Sequence, residues 1–137
     1  MKLRSLFIYT VFLSSILAHS SDNNEEKKIF FISPLDGETV TNPIKISFGA
    51  TGVSIVPAGK DIPMSGHHHL LINVINLPNL KSPIPADKNH LHFGKGQTET
   101  TIELPKGKHT LQMLLGNHLH IPHETPLLSD KIEIIVE

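Results

Sequence analysis

After residue 20, no stretch of this chain sustains a helical period. Its apolar residues come in short runs that alternate with polar ones and break at proline or glycine. Ile29 to Ser33 is a short apolar strand ending at Pro34, and Asp36-Gly37 supplies the turn that follows. Pro43 opens a strand in which Ile44, Ile46 and Phe48 alternate with Lys45 and Ser47. Gly49 to Gly66 is rich in glycine and proline and reads as a long loop holding a short strand around Val53 to Val56. Leu70, Ile72 and Val74 again alternate, and prolines at 78, 83 and 85 then disfavour regular structure until His90. Gln97 to Leu104, His109 to Leu115 and Lys131 to Val136 complete the set. About seven short strands joined by proline and glycine turns predict an all-β, immunoglobulin-like antiparallel β-sandwich.

The first twenty residues have a different character. Lys2 and Arg4 precede a largely apolar stretch from Leu6 to Leu17, and Ala18-His19-Ser20 places small residues where a signal peptidase reads. This predicts a cleavable export signal over 1–20, a flexible polar leader over 21–28 and a single domain over 29–137, located in the periplasm or secreted. The apolar run is shorter than the roughly 20 residues that span a bilayer, and no later segment is long enough, so the mature chain should carry no membrane span.

Losing Lys2 and Arg4 leaves ten basic against thirteen acidic residues, a net charge of −3. The mature part has no Arg, Tyr, Trp or Cys. Nucleic-acid binding is excluded by the lack of a basic stripe and of an aromatic platform for bases. Without cysteines an exported domain has no disulfides, so its roughly 115 residues must be held by an ordinary core.

Nine of the ten histidines lie between His67 and His123, and eight of these form three knots: His67-His68-His69, His90-Leu91-His92, and His118-Leu119-His120-Ile121-Pro122-His123. Neutral imidazole is the commonest protein ligand for metals. Side chains two apart on a strand share a face, about 6.5 to 7 Å apart along the backbone, near enough for two rings to converge on one ion. His67 and His69 have that spacing, as do His90 and His92, and His118 and His120; His123 follows a proline. If these knots sit on adjacent sandwich loops, His67, His69, His90, His92, His118, His120 and His123 are candidate ligands for copper or zinc. Met64, three residues before His67, offers a sulfur to copper.

Other histidines read as structural. His109 shares a face with Leu111, Met113 and Leu115 and is expected to be buried, bonding backbone through its ring. His68 is in phase with Leu70, Ile72 and Val74 and should point inward. The competing account of the knots is a hydrogen-bonded network that organises loops in a non-catalytic envelope module with a protein partner. Catalysis is the third reading, and the sequence disfavours it. The serines at 33, 47, 54, 65, 82 and 129 sit in no nucleophile elbow, and a metallohydrolase would have to recruit Glu124 or Asp87 as its base. Gly94-Lys95-Gly96 lacks a phosphate-loop context and reads as a tight hairpin turn.

Several runs together resemble the bacterial domain-of-unknown-function 4399 family: Ser33-Pro34-Leu35-Asp36-Gly37, Pro57-Ala58-Gly59, Gly66-His67-His68-His69-Leu70-Leu71-Ile72, His92 to Glu99, Leu104 to Leu111 and Gly116 to His123. The resemblance covers nearly the whole mature chain. It implies a small exported β domain, found alone or attached to others, and brings no established activity. Asn117 stands where that pattern expects Asp; if the carboxylate orients a histidine, an amide must do so here.

Overall fold

The computed structural model describes residues 25–137, so the expected export signal lies outside the described residues. All regular structure among them is strand: β1 (Lys28–Ser33), β2 (Thr39–Val40), β3 (Ile44–Thr51), β4 (Ser54–Ile55), β5 (Ser65–Ile72), β6 (His90–His92), β7 (Glu99–Ile102), β8 (Gly107–Gly116) and β9 (Ile132–Val136). Seven correspond to the expected strands; β2 and β6 are additional. Both are two or three residues long and exist through pairing with distant partners, β9 and β5 respectively. Local sequence carries little signal for so short a strand. No helix among the described residues is long and apolar enough to cross a membrane.

The strands form two sheets, as expected for a β-sandwich. One is three-stranded, in the order β1-β3-β7; the other is six-stranded, running β2-β9-β8-β5, with β4 and β6 both paired to β5. Pairing is antiparallel except between β2 and β9 and between β4 and β5. The core between the sheets follows the period-two pattern. Ile44, Ile46 and Phe48 from β3 meet Leu70 and Ile72 from β5, Leu111, Met113 and Leu115 from β8, and Ile132, Ile134 and Val136 from β9. Each such side chain, fully buried, contributes about 1.5–3 kcal/mol.

A second, smaller apolar cluster of Leu71, Leu114 and Ile84 lies on the outer face of the six-stranded sheet. β5 is therefore covered on both sides, and all eight of its residues are buried. A strand buried on both faces reads as a continuous run rather than an alternating one. That is why the triple histidine belongs inside β5, whereas the alternation of Leu70, Ile72 and Val74 placed it before the strand.

Two turn readings change. The Gly94-Lys95-Gly96 turn closes through the Gly96 N–H on Phe93 O at 3.1 Å, with Gly96 at φ 77°, a conformation glycine adopts without steric cost. It joins β6 in one sheet to β7 in the other and so is a crossing, not a hairpin. His109 is structural but half-buried rather than buried. Its Nε2–H donates to Pro105 O at 2.8 Å, and its Nδ1 accepts from the Asn73 amide at 2.9 Å, tying two turns at the end of β8.

Candidate metal centre

Alternation along β5 sorts the triple histidine. His68 falls in phase with Leu70 and Ile72 and enters the main core, its ring edge-on to Phe48 with centroids 4.7 Å apart. His67 and His69 emerge on the opposite face, that of Leu71, opposite Gly116 and Leu114 of β8. β6 lies along the other side of β5 and pairs His92 with His69. The second knot is thus delivered by a strand, not by a loop.

The third knot arrives by a turn. Asn117 Oδ1 accepts from the N–H groups of Leu119 at 2.8 Å and Ile121 at 3.1 Å, while Asn117 O accepts from His120 N–H at 2.8 Å. This folds residues 117–121 tightly and holds His120 at φ 66°, a left-handed conformation that costs a non-glycine residue on the order of 1 kcal/mol. The His120 carbonyl accepts from Ile84 N–H at 2.8 Å, which fixes the turn over the outer face. Asn117 acts only as an acceptor through its side-chain oxygen, a role Asp fills equally well. It shapes the turn that presents His120 and is not itself bonded to a ring.

One histidine from each knot meets the others here. His67, His92 and His120 each offer a nitrogen within 4.8 Å of the other two. Their ring centroids are 4.9 Å apart for His67 and His92, 5.0 Å for His67 and His120, and 4.7 Å for His92 and His120. Neighbouring donors around a tetrahedral ion with bonds of about 2 Å stand roughly 3.3 Å apart, so side-chain rotations that bring the nitrogens closer by up to about 1.5 Å close the set. His69 flanks the trio, 4.8 Å from His67 and 5.1 Å from His92. Glycines make the space. A Cβ on Gly116 would lie 2.8 Å from His69 Cε1 and 3.3 Å from His120 Cα, and one on Gly94 would lie 2.8 Å from His92 Nε2 and closer still to its Cε1.

Surroundings favour the neutral form of His67, His69 and His92. Burial, reinforced by His92 and His120, lowers His67 to about 4. Burial also lowers His69 to about 3, with His67, His92 and His120 adding to the effect. His92 is lowered as well, by burial and then by His120. His67 Nε2 and His69 Nδ1 are buried with no hydrogen-bond partner in the protein. A buried polar atom left unpaired costs about 1–3 kcal/mol, and an ion bound at the His67 lone pair would offset that cost.

The remaining candidate ligands are engaged elsewhere. His90 shares a face with His92, but its Nδ1–H donates to Asp87 Oδ1 at 2.8 Å. That bond is the main reason the Asp87 carboxyl lies below its usual range. His118 places Nδ1 3.4 Å from Asp61 Oδ1, and His123 donates from Nε2 to Ser65 O at 2.9 Å. Met64 is 46% exposed, and Glu124 is exposed too. Spacing alone did not bring out Gly94 and Gly116 as parts of the site, and Asn117 was singled out only through the family pattern. The signal for Asn117 was present, since an Asn opening a short polar-histidine segment is a turn former.

The fold and site together define a small β-sandwich that gathers imidazoles from three segments on the outer face of its larger sheet. The domain of unknown function DUF4399 matches residues 46–137, which include every histidine of the three knots, and the chain belongs to that family. No curated protein and no solved structure matches the chain.

Proposed function

We propose that this protein is an exported metal-binding domain that holds one divalent transition ion, copper(II) or zinc, through His67, His92 and His120. The convergence of one nitrogen from each of these residues to within 4.8 Å carries the reading. A buried, unpartnered nitrogen on His67 supports it. An all-imidazole donor set suits both metals, and the Irving–Williams order favours copper. Export rests on the basic start, apolar run and small-residue site within residues 1–20.

The loop-organising account fits the outer histidines of the knots, because His90, His118 and His123 face Asp87, Asp61 and Ser65 O respectively. Isothermal titration of the tag-free chain from Ser21 with copper(II) and with zinc tests the proposal. The expected result is saturable one-to-one binding tighter than about 10 μM, near −7 kcal/mol. Titrations without such binding for either ion would extend the hydrogen-bond account to the whole cluster.

A further inference from the structure

The three imidazoles do not surround the centre they form. His67 is 1% exposed and makes the floor, His120 is half-buried, and His92 is exposed at the rim. An ion held by all three is open to solvent on the His92 side. His69 is the other ring at hand, but its centroid is 6.2 Å from that of His120, and its nitrogens fall outside the converging set.

Among the described residues the set includes no carboxylate, and the chain has no cysteine to supply a thiolate. Two acids near the knots face other histidines, Asp87 on His90 and Asp61 on His118. Three neutral donors leave the ion's double charge uncompensated at a partly buried site, where Coulomb attraction for an anion is much stronger than in water. Zinc also takes a fourth ligand, and three protein donors plus one open position is the arrangement of sites that exchange a ligand.

Resting on the metal reading of these same residues, we infer that the centre keeps one exchangeable position on its solvent side, which takes a small monovalent anion with a nitrogen or oxygen donor. Azide is the probe. Copper(II)-loaded protein, freed of excess copper, is titrated with sodium azide and followed by absorption. The expected result is an azide-to-copper charge-transfer band that saturates at one azide per copper and is absent when azide is added to the metal-free chain.

A chain that takes up neither copper nor zinc defeats the metal reading itself and this inference with it, and one that takes up zinc but no copper overturns this inference alone. One-to-one copper binding without the band overturns the open position alone. The His69→Ala variant settles who holds the fourth place. A band confined to that variant would assign the position to His69 and overturn the inference, whereas a band of the same stoichiometry in the parent upholds it.

Discussion

On the inward face of β5, His68 is fully buried against Phe48, with both ring nitrogens unpartnered among apolar side chains. On the outward face, one residue to either side, His67 and His69 are equally buried but look onto His92 and, across the turn, His120. Residue type, burial and strand are shared; the difference is what arrives from elsewhere in the chain. Burial alone makes a histidine neutral. It becomes a candidate ligand only where other segments bring further lone pairs to the same point.

The largest effect should separate the outer face from its surroundings. At an ion concentration one hundred times Kd, binding stabilises the fold by about 2.7 kcal/mol. His92→Ala should remove that gain and His90→Ala should keep it, read as the ion-induced rise in melting temperature. Equal losses in the two variants would show that the His90-His92 pair acts as a unit and that the Asp87 bond does not hold His90 apart.

Acid should act on both faces at once. His67 and His68 are held at about 4 and His69 at about 3, all below the ordinary 6.5, with burial the largest cause in each. The unfolded chain therefore takes up protons first as pH falls. Stability is complete above about 6.5 and is lost as pH drops from there through the folded values. Melting temperatures of the metal-free protein should decline across that window. A flat profile between about pH 7.5 and 5 would contradict the burial of either face.

A smaller change should mark the inward face alone. His68→Leu removes two unpartnered nitrogens from the core and should raise stability in urea by about 1–3 kcal/mol, with ion binding retained. If this variant lost the ion instead, the two faces would not be independent.

The smallest effect tests the turn. Asn117→Asp keeps the acceptor for Leu119 and Ile121 and should shift stability by no more than about 0.5 kcal/mol. Asn117→Ala should cost about 1 kcal/mol and weaken ion binding by releasing His120 from its left-handed conformation. Ion affinity that survives Asn117→Ala unchanged would show that the turn does not position His120.

Much of the fold was legible in the chain. Alternation at Ile44, Ile46 and Phe48, and at Ile132, Ile134 and Val136, located strands whose inward faces are as expected. β2 and β6 were not legible, because strands of two and three residues are defined by partners far away in sequence. The site was legible as a set of residues and a spacing rule. At His67 and His69 the rule gave a shared face, because both lie in one strand, but only His67 offers a nitrogen to the converging set. At His118 and His120 it did not apply, since a turn with its own backbone angles presents only His120.

The sequence by itself determined that this protein is all-β and that its imidazoles gather in three places, because period-two burial and turn chemistry are local properties. It also determined that His68 and its neighbours point to opposite sides, since alternation follows from strand geometry. Which side holds a centre, and which histidine of each knot reaches it, was decided only by the tertiary structure. Relative direction within a strand is fixed by covalent geometry, whereas convergence depends on β6 pairing to β5 and on a turn folded over the sheet, contacts whose partners lie far apart in the chain.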